Sequence, residues 1–167
     1  MMKKLICILL TVLALLATVS CEKEPPVNGD ASFSAFAVNG VTVALDAEAS
    51  SIIAALGTPI ASAETNSCFG DGKDKVYEYT SFKVQTYSSK GTDYILSVEI
   101  YNDADETVAT PEGVRVGSSA EDVISKLGEP SNRNDGQIVY LNASAKTKLQ
   151  ILLRDGAVTN IQYLKTE

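Results

Sequence analysis

The sequence predicts an α+β fold: two tandem helix-plus-three-strand units that form one antiparallel sheet, with both helices on one face. Three observations carry this reading. Val43–Pro59 lies without gaps over Val114–Pro130, and Val43, Ala49, Leu56, Gly57 and Pro59 meet identical residues. Within each stretch the apolar residues fall on one helical stripe, Ala49, Ile52, Ile53 and Leu56 in the first and Ala120, Val123, Ile124 and Leu127 in the second. After each stripe the apolar period shortens to two, the period of strands.

The helix ends agree with the periodicity. Ser118 and Glu121 have the spacing of a capping box, in which each side chain satisfies a free backbone N–H of the first turn. Asp46 or Glu48 opens the first helix more loosely. Gly57 and Gly128 suit a left-handed position just past each helix, and Pro59 and Pro130 block continuation.

Three strands follow each helix. Val76–Thr80, Phe82–Ser88 and Tyr94–Tyr101 belong to the first unit; Gln137–Asn142, Lys148–Arg154 and Ala157–Leu164 belong to the second. Their alternation and their β-branched and aromatic content fit pleated, half-buried surfaces. Lys90-Gly91 and Asp155-Gly156 read as hairpin turns. A further hairpin opens the domain, with Phe33–Val38 and Val41–Leu45 joined at Asn39-Gly40. Neither unit alone has the apolar surface to close a core, so residues 33–167 form one domain, divided into repeats at about 33–106 and 107–167.

The first residues read as a targeting segment. Lys3 and Lys4 precede an unbroken apolar run, Leu5–Ser20, which as a helix spans about 24 Å against a hydrocarbon core of about 30 Å. That is the length of a signal-peptide core rather than of a transmembrane helix. The run ends in Thr18-Val19-Ser20-Cys21, which resembles the lipobox of bacterial lipoproteins, with Thr18 where leucine is commoner. Residues 1–20 are therefore expected to be a lipoprotein signal peptide and Cys21 the lipidated first residue of the mature chain. Two or more acyl chains anchor a protein stably, whereas one holds it marginally. Residues 21–32 carry Pro25, Pro26 and Gly29 without periodicity and read as a tether.

Charge narrows the partners. The chain has 14 basic and 21 acidic residues, a net charge of −7. Every acidic residue follows Cys21 while Lys3 and Lys4 precede it, so the mature chain is more acidic still. Such a surface repels phosphate backbones, and nucleic acid is not an expected partner. Cys7 lies in the signal and Cys21 is the anchor, which leaves Cys68 alone in the folded part. An internal disulfide there is impossible, and the domain must stand on its core. Cys68 itself reads as a buried small hydrophobe, a free thiol or a reactive residue.

The closure of each helix at Leu-Gly-x-Pro, the strands that follow, and the duplication resemble the β-lactamase-inhibitor-protein-like (BLIP-like) superfamily. The SmpA/OmlA-type outer-membrane assembly lipoproteins share that unit and an anchor. Val114–Pro130 is the most specific stretch of the resemblance. It implies a protein-binding role through the sheet face that the helices leave open. β-Lactamase as the target is not implied, because the disulfides and inhibitory loop of the secreted inhibitors are lacking.

Alternation assigns the open face. Leu96, Val98 and Ile100, with Phe82, Val84, Leu149, Ile151 and Leu153, are expected to point inward. Lys83, Gln85, Tyr87, Glu99, Tyr101, Tyr140, Lys148, Gln150 and Gln162 are expected to point outward, Tyr140 because it is opposed in phase to Val139 and Leu141. Tyrosines among adaptable polar groups suit protein recognition. A chain without histidine lacks the usual general base and the commonest zinc ligand. Asp103, Asp105 and Glu106, like Asp71 and Asp74, read as acidic loops rather than calcium sites, and Ser118-Ser119 as helix caps. The expectation is a cell-envelope lipoprotein that is not an enzyme, has no cofactor or metal, and binds an envelope or extracellular protein. A small-ligand-binding lipoprotein, with a closed apolar pocket between helices and sheet, is the alternative.

Overall fold

The computed structural model describes residues 33–166 apart from 34, 68, 69 and 106. The expected signal peptide, the expected lipidation site Cys21, the expected tether and Cys68 lie outside the described residues. A two-stranded hairpin, β1 (Ala35–Val38) and β2 (Val41–Ala44), comes first, followed by helix α1 (Ala49–Leu56). Four strands follow: β3 (Ala61–Asn66), β4 (Lys73–Glu78), β5 (Phe82–Ser89) and β6 (Thr92–Ile100). Helix α2 (Ala120–Leu127) then leads into β7 (Asn132–Asn134), β8 (Gln137–Asn142), β9 (Thr147–Arg154) and β10 (Ala157–Lys165). The eight strands β3–β10 form one antiparallel sheet in the order β3-β4-β5-β6-β10-β9-β8-β7, so β6 and β10 meet at its centre.

The expected fold class is corrected by this arrangement. Among the described residues the protein is mostly β, with 51% strand, two helices, one large sheet and a separate two-stranded one, not two helix-plus-three-strand units. Strands β3 and β7 were not anticipated. Their sequences, ASAETN and NRN, are exposed at every position. They sit at the two edges of the sheet, where neither face is buried and no apolar alternation is needed. With eight residues each, the helices are too short to make a layer. The hairpin shares the covering role with them.

One core joins hairpin, helices and sheet. Phe36 of β1 packs on Phe82 of β5 with ring centroids 5.4 Å apart and on Tyr163 of β10 at 6.3 Å, while Phe33 meets Tyr140 of β8 at 4.9 Å. Ala49 is buried on α1, with Ile52, Ile53 and Leu56 half-buried beside the core; Ala120, Val123 and Leu127 are buried on α2. Burying each of the larger side chains stabilises the fold by about 1.5–3 kcal/mol. Helix α2 is capped by Ser119, whose Oγ accepts from Asp122 N at 3.1 Å. Ser118 Oγ instead accepts from Arg115 N, so the cap falls one residue later than the expected capping box. Gly57 (φ 82°, ψ −160°) and Gly128 (φ 78°, ψ −166°) end the helices. Their positive φ was expected, but ψ is extended rather than left-handed helical, a region open essentially to glycine alone.

Candidate functional site: the open face of the sheet

Hairpin and helices cover one face of the sheet, and among the described residues no element covers the other. Pairing places the open-face side chains in rows that cross the strands. One row runs Val139, Gln150, Gln162, Glu99, Lys83, Glu78 from β8 to β4. The next runs Leu141, Lys148, Leu164, Ser97, Gln85, Val76 over the same strands. Seven expected residues, Lys83, Gln85, Tyr87, Glu99, Lys148, Gln150 and Gln162, lie on this face and are half-buried.

Glu99 is the hub of the central row. Its carboxylate takes Lys83 Nζ at 2.5 Å on one oxygen. The other oxygen accepts from Asn160 Nδ2 at 2.8 Å and Gln162 Nε2 at 3.2 Å. Burial pushes the carboxyl up, but the bonds from Lys83, Gln162 and Asn160 outweigh it and hold the group below its ordinary value of 4.5. Farther along, Gln150 Nε2 donates to Gln137 Oε1 at 2.8 Å and Ser97 Oγ to Gln85 Oε1 at 3.4 Å. The face is thus a preorganised polar lattice, with cross-strand partners fixing each head group.

The tyrosines behave differently from expectation. Tyr140 is not on the open face: it is 1% exposed and its hydroxyl donates to Gly128 O at 2.9 Å, pinning the end of α2 to the sheet. Burial, with Glu129 adding to it against Arg133, pushes that hydroxyl up to about 12. The inward residues of β8 are Ile138 and Tyr140, paired with Ile151 and Leu149, whereas Val139 and Leu141 face outward. Tyr101 follows the end of β6, and its hydroxyl donates to Tyr79 O and approaches Glu78 Oε1 at 3.5 Å. Tyr87 stays on the open face, 5.6 Å from the ring of Tyr94. Its hydroxyl donates to Asp46 Oδ1 at 2.8 Å, and Lys165 Nζ lies 4.9 Å from its ring centroid while donating to the same carboxylate. That lysine contact is a cation–π geometry.

A second correction comes from a register shift between Gln85 and Thr86, where β6 carries one extra residue, Leu96. A bulge of this kind reverses the alternation beyond it. Ile95 takes the core position expected for Leu96, and Tyr94 turns to the open face beside Tyr87. Sequence reasoning also missed Asn160, the second amide on Glu99, which lies beyond another register shift in β10. Among the described residues no three His, Cys, Asp or Glu side chains are grouped to hold a metal ion. Asp71 instead accepts Lys90 N, and Asp105 accepts the hydroxyl and N–H of Thr107.

No family model and no curated protein matches the chain. Two solved structures are similar to it in part. One is an extracellular protein containing a SCP domain from Bacillus anthracis, at 14% identity and a TM-score of 0.49, covering 72% of this chain and 44% of that one. The other is a cysteine-rich secretory protein from Staphylococcus aureus, at 14% identity and a TM-score of 0.43, covering 72% and 43%. The chain spans less than half the length of either. The BLIP-like and SmpA/OmlA-type resemblance and the tandem-repeat reading are corrected on the fold itself, which is one eight-stranded sheet with a separate hairpin rather than two helix-plus-three-strand units. At these scores nothing about ligand, activity or partner carries over.

Proposed function

We propose that the chain is exported, held to a membrane through lipid on Cys21, and binds an envelope or extracellular protein through the open face of its sheet. The observation that supports this most is the central row from Gln150 through Gln162 and Glu99 to Lys83, a polar lattice ordered before any partner arrives and left uncovered among the described residues. Ordered head groups lose little entropy on binding. The half-buried apolar residues that interrupt the polar rows, Leu152 and Leu164, and the 56%-exposed Leu141 add contact area. The reading involves no catalysis.

Two experiments test it. Full-length chain in its native envelope is used as bait, and the variant carrying Lys83→Ala, Gln85→Ala, Gln150→Ala and Gln162→Ala is compared with Lys126→Ala on the helix side. Loss of one specific partner in the quadruple variant alone supports the face; equal capture by both rejects it. Metabolic labelling with a radioactive fatty acid tests the anchor, with label expected on the wild type and absent from Cys21→Ser. Equal labelling of the two would dismiss lipidation at that residue.

A further inference from the structure

Strand β3 forms one edge of the eight-stranded sheet, and Ala61–Asn66 is exposed at every position. Its backbone phase follows from two bonds at the ends of β4. Ser67 N donates to Gly72 O at 3.0 Å, and Tyr79 N donates to Phe82 O at 2.8 Å. In antiparallel pairs the bonded positions recur every second residue, so Asp74, Val76 and Glu78 bond β3 while Lys75 and Tyr77 bond β5. Ala61, Ala63 and Thr65 are thereby satisfied by β4. Ser62, Glu64 and Asn66 aim their N–H and C=O away from the sheet, where no described element pairs with them. Such a row is a template for another strand, and proteins ordinarily blunt it with lysine, proline or a bulge. The opposite edge, β7, is short, three residues with Arg133 in the middle. β3 is twice as long, pairs with β4 in unbroken register and carries neither lysine nor proline.

We propose that β3 pairs antiparallel with β3 of a second copy of this chain, about a two-fold axis at Ala63, so that the two sheets run on as one. The strand's own phase selects this occupant and this register. Bonded positions must fall on Ser62, Glu64 and Asn66 in both copies, which allows an axis at a residue but not between two residues. Axes nearer either end leave more of the strand unpaired. An axis at Glu64 would set two carboxylates directly opposite, which is unfavourable. An axis at Ala63 instead puts Glu64 opposite Ser62 of the second copy, and the two exchange both backbone bonds. Asn66 comes opposite Ile60 of the second copy, a side chain otherwise 68% exposed. Ala63 meets itself in a pair without backbone bonds, where Cα atoms approach to about 4.5 Å and a methyl group leaves room. Ala63 lies in line with Val76, so the pairing also joins two open faces into one surface.

Cysteine substitution reads the axis, in the full-length chain expressed in its native envelope with Cys68→Ser as the background. At Ala63→Cys the two thiols fall within disulfide reach, which spans Cα separations of about 4.4–6.8 Å. At Ala61→Cys, also an exposed position, they lie about 14 Å apart along the strands. Under mild oxidation Ala63→Cys is expected to give a band of twice the chain's mass, and Ala61→Cys none above background. Adding Ser62→Pro to Ala63→Cys removes a donor that faces the second copy and leaves the bonds to β4 in place, so the band is expected to be lost. No doubled band from Ala63→Cys, equal bands from both cysteine variants, or a band that survives Ser62→Pro would overturn the proposal. So would an adduct of Ala63→Cys with a different protein, which would give the edge to that chain.

Discussion

Asn160 of β10 donates its amide to Glu99 of β6 across the seam where the two halves of the sheet meet, at 2.8 Å. Lys83 reaches the same carboxylate from β5, so three neighbouring strands converge on one ionised group. This makes the middle of the open face sensitive to acid. Because Glu99 titrates below its ordinary 4.5 when folded, its contribution to stability is fully present above that value and is lost as pH falls through the lower folded value. Urea denaturation from pH 7 to pH 3 is expected to show Glu99→Gln with a flatter profile than the wild type below about pH 4.5. At pH 7 the variant should be less stable by about 1 kcal/mol, since the Lys83 end of the network is partly screened by water. Parallel profiles would show that folding does not lower the titration of Glu99.

The same logic inverts for Tyr140, which is in the core rather than on the surface. Tyr140→Phe keeps the ring against Phe33 and leaves Gly128 O without its donor, at an expected cost of about 1 kcal/mol in chemical denaturation. Tyr140→Ala empties a fully buried site and is expected to cost about 3–5 kcal/mol. Partner binding by Tyr140→Phe should equal that of the wild type. A variant that loses binding while keeping its stability would return this tyrosine to the recognition surface.

How far the sequence was legible depended on whether burial left a mark. Both helices were, because Ala49, Val123 and Leu127 had to fall on one stripe to reach the core. The inner strands were legible for the same reason in period two. Strands β3 and β7 left no mark, since an edge strand wetted on both faces can be built from ASAETN or NRN, and without them the class came out wrong. On the candidate face, seven residues follow from simple alternation. Leu96 and Tyr94 do not, because a single extra residue in β6 reverses the phase without changing composition. Tyr140 failed for a different reason: Val139, buried on the open face, and the exposed Leu141 are the apolar residues of that face, and they set the wrong phase for the strand.

The glycines that end the helices allow a test in which packing plays no part. A methyl group added at Gly57 would meet no atom within 4 Å, so substitution there changes only the backbone. At φ 82° and ψ −160° an L side chain is strained, and Gly57→Ala is expected to cost about 1–3 kcal/mol. Thr58→Ala, next door and exposed, should change stability by less than about 0.5 kcal/mol. If the two variants melted together, the end of α1 would not hold the conformation described.

Tyr87 combines recognition and structure, and the two can be separated. Its hydroxyl and Lys165 both bind Asp46, which lies in the connection from the hairpin to α1, so this tyrosine helps fasten the covering layer to the sheet. Tyr87→Phe retains the ring under the Lys165 ammonium and loses the bond to Asp46. An exposed bond of this kind is expected to contribute about 0.5–1.5 kcal/mol. Hydrogen exchange should report the change at Asp46 N and Ile95 N, which pair the connection with β6, before it appears elsewhere. Uniformly faster exchange through all eight strands would instead mean that Tyr87 supports the whole sheet. In that case its removal could not be used to judge binding, and Gln150, whose amide bonds Gln137 on the same face, would report on it instead.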